Sequence, residues 1–205
     1  MDSKQAARSP ASIVTSIVTG AFGFSGQQIA KRLLLRGESV RTLTNHPNPE
    51  SPLFGRVEVA PLDFSDPEQL ARALTGATVL YNTYWVRFSY GSLTHEGAVE
   101  NTKTLIHAAE VAGVKRIVHV SITNPSIDSS LSYFRGKAGL ERAIQSSPLS
   151  YAILRPAVLF GEGDILINNI AFMLRRSPLF AIPGRGEYHV QPMFVDDLAE
   201  LAVES

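Results

Sequence analysis

The sequence predicts an α/β fold in which a doubly wound parallel sheet is covered by helices on both faces. Three observations predict it. Short β-branched runs alternate along the chain with segments of helical spacing, and that alternation implies right-handed crossovers into a parallel sheet. Glycines stand where helices must stop, at Gly37, Gly76 and Gly113. A glycine turn, Thr19-Gly20-Ala21-Phe22-Gly23-Phe24-Ser25-Gly26, joins the first strand to the first helix.

The elements follow in order. Ile13, Val14, Thr15, Ile17 and Val18 make a β-branched strand. After the glycine turn, Ile29, Leu33 and Leu34 fall at helical spacing, and Gly37 ends that helix. Residues 39–44 alternate and read as a second strand, while three prolines in residues 45–52 require a loop. Residues 57–60 are a third strand. Asp66-Pro67 starts a helix, with a capping carboxylate and a proline at the first helical position, and Gly76 closes it. Residues 77–81 are a fourth strand, 96–112 a long helix, 116–120 a fifth strand, 132–146 a helix and 151–154 a sixth strand. Residues 161–195 are less regular and glycine- and proline-rich; one helix near 165–175 and a short returning strand are expected before a last helix at Asp197. With neither internal repeat nor linker, residues 1–205 read as a single domain, residues 1–11 as a flexible lead and 161–195 as an irregular segment on the substrate side.

The composition narrows the function. Lys+Arg and Asp+Glu are both 19, so no net field draws the chain to nucleic acid or anionic lipid. Cysteine is absent, which excludes disulfides, thiol catalysis and cysteine-ligated metal and fits a cytoplasmic protein. The longest apolar stretch, 165–174, is interrupted by Asn168 and Asn169 and is too short for a bilayer. His95, His107, His119 and His189 lack metal-ligand spacing with carboxylates, so no metal is expected. The glycine turn is the positive signal. A strand, a G-x-x-G-x-x-G turn and a helix are the setting a dinucleotide loop requires: Gly20 permits the turn, Gly23 lets backbone approach a pyrophosphate, and Gly26 lets the helix pack closely. The phosphates would lie at the positive end of that helix.

In this order and spacing, further motifs join the loop. They are Asp63 in Pro61-Leu62-Asp63, Asn82 ending the fourth strand, Glu100-Asn101-Thr102, the run Val114 to Ser121, Tyr133-x-x-x-Lys137, Leu154-Arg155-Pro156 and Phe194 to Ala199. Over residues 13–203 the chain resembles the short-chain dehydrogenase/reductase superfamily, in its extended and atypical branches, which include epimerases, dehydratases and NAD(P)H-binding reductase-like proteins. The resemblance implies a Rossmann-type NAD(P)-binding fold. It implies that Thr19, Gly20, Phe22, Gly23, Phe24 and Gly26 line the cofactor, with Thr44 and Asn45 near the adenosine ribose. Asp63 and Phe64 would lie at the adenine, and Asn82, Thr83 and Tyr84 along the cofactor. Lys137 would hold the nicotinamide ribose, Ser121 would adjoin it, and Arg155 and Pro156 would shape the far side. The alternative reading of Asp63 is a turn or capping carboxylate.

Tyr133 and Lys137 are four apart on a helix and share a face. A cation beside a phenol lowers its pKa, which would let Tyr133 exchange a proton while hydride moves to or from the nicotinamide. The family's catalytic Ser/Thr position falls on Ile122, which cannot polarise a carbonyl; Ser121 is the candidate substitute, and Asn101 matches a helix asparagine of the proton relay. Thr44, Asn45 and His46 stand where NAD-preferring members carry an acid, so NADP is favoured slightly over NAD. Tyr84 to Tyr90 carries aromatics and Arg87, suited either to a flat or acidic substrate or to packing against 161–190. Two function classes stay open. Tyr133 and Lys137 favour an oxidoreductase or epimerase-like enzyme acting on a small molecule; Ile122 favours a non-catalytic NAD(P)H-binding sensor or assembly subunit. The chain ends inside the last helix, whereas extended relatives continue, so substrate is not legible, and a homodimer through helices on one sheet face is the expected assembly.

Overall fold

A computed structural model describes residues 16–205 except 92, 183 and 188. The expected flexible lead and the start of the first strand at Ile13 lie outside these residues. The elements run β1 (Ser16–Thr19), α1 (Phe24–Leu35), β2 (Val40–Leu43), β3 (Glu58–Ala60), α2 (Pro67–Leu74), β4 (Val79–Asn82) and α3 (His95–Val111). They continue with β5 (Arg116–Val120), α4 (Ser132–Ser146), β6 (Ser150–Leu154), β7 (Val158–Phe160), α5 (Leu166–Arg176), β8 (Pro192–Phe194) and α6 (Val195–Glu204).

The first six strands form one parallel sheet in the order β3-β2-β1-β4-β5-β6. After β3 the chain returns to the far side of β1, so the strand order reverses between β1 and β4. That reversal leaves a crevice beyond their carboxyl ends, where open α/β sheets bind ligands. Successive residues of each strand face opposite sides. Ile17, Leu80 and Ile117 pack under Leu70 and Leu74 of α2, Leu105 of α3 and Ile144 of α4. Val18, Tyr81 and Val118 pack under Ile29 and Leu33 of α1 and Ala199 and Ala202 of α6. The two-residue period thus builds both cores from the same strands, which is why these strands read as continuous apolar runs.

Helix ends follow the expected chemistry. Asp66 Oδ1 accepts from Gln69 N at 2.9 Å with Pro67 at the first helical position. Gly37 has φ +78°, and Glu38 N reaches back to Leu33 O at 3.1 Å, which closes α1. Just before the irregular segment lies a strand that sequence periodicity does not reveal. β7 is three residues long and pairs in parallel with β8, the returning strand, in a separate two-stranded sheet. Among the described residues no helix is long and apolar enough to cross a membrane.

Candidate functional site

The glycine turn leaves β1 through Gly20, whose φ is +67°, and the loop is pinned by Gly20 N to Leu43 O (3.0 Å) and Ala21 N to Thr42 Oγ1 (2.9 Å). The third glycine is the least replaceable. A Cβ on Gly26 would stand 2.3 Å from Gly20 O and 2.9 Å from Gly20 C, against 3.3 Å from Gly20 O for a Cβ on Gly23. The helix therefore starts hard against the turn. Gly23 is the N-cap of α1, and no side chain caps that end. Its first-turn amides and the helix dipole are thus available to an anion.

A cavity of about 510 Å³ opens there, lined by Gly20, Gly23, Phe24, Ser25 and Gly26 from the turn and by Thr44, Asn45 and Phe64 opposite. Thr19, Thr83, Tyr84 and Asn101 complete the near wall. Thr19 also staples two strand ends: its Oγ1 accepts from Thr83 N (2.8 Å) and Tyr84 N (3.1 Å), while Thr83 Oγ1 donates to Thr19 O (2.5 Å). Asn101 Nδ2 donates to the Tyr84 hydroxyl at 2.9 Å, which ties it to the first cavity, away from Tyr133. Asn45 is held as if in a ladder, with Nδ2 to Leu62 O (2.7 Å) and Leu62 N to Oδ1 (3.0 Å).

A second cavity of about 470 Å³ adjoins the first and shares Phe24, Ser25, Thr83, Trp85 and Arg87 with it. Tyr133, Lys137, Ser121, Ile122 and Pro156 line it. Lys137 is buried, donates to Val120 O at 2.9 Å and lies 4.5 Å from the Trp85 ring centroid. Burial lowers its pKa to about 7, partly offset by the carboxylate of Glu141 one turn away. Glu141 is itself buried and accepts from Ser121 Oγ (2.6 Å) and from Arg155 Nε (3.0 Å) and Nη2 (2.5 Å). Beneath the site, Asn82 Nδ2 contacts His119 Nδ1 at 3.0 Å. Burial, then Lys137, hold that imidazole well below its usual pKa, so it is neutral; Nδ1 accepts from the amide and the proton sits on Nε2.

The geometry corrects the expectation for the Tyr133 phenol and places several other expected residues away from the cavity linings. The phenol of Tyr133 is shifted upward by burial, and the cation opposing that shift is Arg87, not Lys137. Tyr133 sits among rings, with Trp85 and His95 edge-on at 5.4 Å each, and among the described residues its hydroxyl has no hydrogen-bond partner. Asp63 is half-buried and accepts from Ser65 N (2.8 Å) and Ser65 Oγ (2.6 Å), bonds that lower its pKa, and it is not among the residues lining the first cavity, although Leu62 and Phe64 beside it are. Phe22 packs on Phe54 (6.3 Å between centroids), outside both cavities. Arg155 turns onto Glu141, and Asn82 is sealed under the wall with His119. The site also contains Ser25, for which no role was expected, and Val158, Asp164, Ile165 and Leu166 from the segment after β6. The spacing rule for the glycine loop could have flagged Ser25; no short-range pattern flags the last four, which fold back from afar.

The described donors and the open helix end fit a dinucleotide, and comparison with known proteins agrees. A family described as NAD(P)H-binding matches residues 20–170. The chain is 26% identical over 205 residues to the mitochondrial NADH dehydrogenase [ubiquinone] 1 alpha subcomplex subunit 9 of Arabidopsis thaliana, covering 96% of this chain and 51% of that one. It is 26% identical over 209 residues to a 2-alkyl-3-oxoalkanoate reductase of Stenotrophomonas maltophilia, covering 89% and 62%. It therefore spans between about half and three fifths of these relatives. Among solved structures it is similar to a dTDP-glucose 4,6-dehydratase double mutant of Streptomyces venezuelae with NAD bound. The TM-score is 0.75 and the identity 25%, over 91% of this chain and 70% of that one. The loop, the sheet order and the match over 20–170 together place the chain in the NAD(P)H-binding family, within the extended and atypical branch of the short-chain dehydrogenase/reductase superfamily.

Proposed function

We propose that the protein is an NAD(P)H-dependent oxidoreductase, with Tyr133 as proton donor or acceptor and Lys137 on the nicotinamide ribose. One observation carries this reading: the cavity lined by Tyr133 and Lys137 adjoins the cavity at the glycine loop. A dinucleotide whose diphosphate lay on the first turn of α1 would direct its ring toward Tyr133. When bound, the cofactor supplies the hydride; the chain supplies the anion seat, the ribose contact and the proton. The reductase from Stenotrophomonas is a relative of this kind. A preference for NADP over NAD is supported by the absence of any carboxylate at Thr44, Asn45 and His46. A cytoplasmic setting and a homodimer through helices on one face of the sheet remain part of the proposal.

A second reading rests on Ser121 and Ile122. The Ser121 hydrogen is directed to Glu141, and Ile122 offers none, so neither polarises a carbonyl in this arrangement. That favours a non-catalytic NAD(P)H-binding subunit, and the respiratory-complex relative is a subunit by name. NADPH titration and turnover of Tyr133→Phe separate the readings. The enzyme reading expects NADPH binding in both proteins and turnover lost in the variant. Binding in both with no turnover of any carbonyl substrate by the parent supports the subunit reading, and no NADPH binding removes both.

A further inference from the structure

The ammonium of Lys137 is buried, and Glu141, the carboxylate one turn away, is committed to Arg155 and Ser121. Among the described residues two contacts hold the charge: the carbonyl of Val120 at 2.9 Å and the ring of Trp85, whose centroid is 4.5 Å from Nζ. A buried cation needs such partners, and indole offers the strongest aromatic face. Trp85 is placed for its faces rather than for its N–H. A buried indole nitrogen ordinarily finds an acceptor, yet Trp85 Nε1 is buried without a partner. The ring instead stacks on His95 (5.7 Å, 5° between planes) and meets Tyr133 edge-on at 5.4 Å. His95 is tied in turn to Ser132 Oγ, at the start of α4, at 2.8 Å. The floor is Gly136, where a Cβ would stand 3.0 Å from Trp85 Cη2 and 3.1 Å from Val99 Cγ2. Gly136 lies in the interior of α4, where glycine is less favourable than alanine and no positive φ calls for it. Tyr133, Gly136 and Lys137 share one face of that helix, and the indole lies across it.

We propose that Trp85 is a positioning residue: its ring holds the Lys137 ammonium where the two cavities meet, and Gly136 is bare so that the ring fits. Trp85 lines both cavities, so the restraint acts where the dinucleotide would pass from one to the other. The inference rests on Lys137 as the nicotinamide-ribose contact and names what fixes that contact. A lysine stem is flexible, and an ammonium held in place before the cofactor arrives loses less rotamer freedom on binding. Val120 O takes one of its three donors, and a π face consumes none, so donors remain for ribose hydroxyls. The other titratable and charged groups around Lys137 cannot replace the ring. On α4, Glu141 is engaged by Arg155 and Tyr133 is a neutral phenol; on β5, His119 is neutral and bonded to Asn82. Arg87, on the same cavity wall, is itself a cation.

NADPH titrations read by cofactor fluorescence test this, with Lys137→Met as the reference. Trp85→Met keeps an apolar side chain without a π face and weakens NADPH by about tenfold. Trp85→Phe keeps a face and recovers most of that loss. Gly136→Ala weakens NADPH when tryptophan is present and has no effect in the Trp85→Phe background, because its methyl meets the outer ring of the indole. A merely structural role would leave Phe no better than Met and would make the Gly136→Ala loss independent of residue 85. Trp85 is the single tryptophan of the chain, so its emission reports the contact without cofactor and changes in Lys137→Met. The inference is overturned by parental NADPH affinity in Trp85→Met, by Phe no better than Met, by a Gly136→Ala loss that persists in Trp85→Phe, or by emission indifferent to Lys137→Met. Parental NADPH affinity in Lys137→Met instead removes Lys137 from the ribose and overturns the reading beneath, while the cofactor-free emission still reports whether Trp85 holds the ammonium.

Discussion

Glu141 controls more of the site than either residue of the Tyr-x-x-x-Lys pair. It lies one turn beyond Lys137 on the same face of α4, accepts a hydrogen bond from the Ser121 hydroxyl and is held by Nε and Nη2 of Arg155. A bidentate guanidinium fixes its orientation as well as its charge. Its carboxylate also opposes the burial that pulls Lys137 down to about 7. In Glu141→Gln the anion is gone, so the Lys137 pKa falls further and the cation is lost at lower pH. We expect the alkaline limb of NADPH affinity to move to lower pH, measured by fluorescence titration between pH 5 and 9. A merely structural role for Glu141 would weaken binding equally across that range. For Tyr133 the same reasoning sets the direction: burial favours the neutral phenol.

At the scale of elements, two helix starts carry most of what positions the site. α1 begins so close to the turn that Gly26→Ala must push Gly20 or the helix aside. We expect a loss of about 1–3 kcal/mol in denaturant unfolding, as for other overpacked positions, together with loss of NADPH binding. Gly23→Arg, where the Cβ has more room, should instead retain stability and lose only the binding. α2 depends on Asp66, and Asp66→Ala should cost about 1 kcal/mol by the same measurement without altering NADPH affinity, since α2 lies over the core at Leu70 and Leu74 and away from the cavities. α5 behaves differently from both. Among its described residues none is buried, and its contribution is the cavity edge at Leu166 and Asn169.

For the whole molecule, burying Lys137 makes stability depend on pH. Below about pH 7 the lysine is protonated in both states, and the burial penalty is complete. Between about 7 and the ordinary value of 10.5 the unfolded chain holds more protons than the folded one, so stability rises with pH through that window. Lys137→Met removes this contribution. The variant is expected to be the more stable at pH 6, with the difference shrinking toward pH 10, as measured by urea unfolding across the range.

The architecture was legible because each element announces itself locally. Arg116–Val120 and Ser132–Ser146 lie where their β-branched run and helical spacing place them, and Gly37 stops α1 where a positive φ is needed. The glycine turn was legible for the same reason, since a turn and a helix start are properties of eight consecutive residues. Arg155 and Ser121 were not. Each is a polar side chain with several partners in reach, and its choice of Glu141 follows from distances that exist only once β5, α4 and β6 are assembled. β7 escaped notice because three residues carry no period and gain a partner only when β8 returns beside them. The sequence by itself therefore determined the parallel sheet, its helices and the anion-binding turn, whose causes are short-range. Only the tertiary structure decided which polar groups face the second cavity free to react, because hydrogen-bond competition among buried groups is settled by three-dimensional proximity.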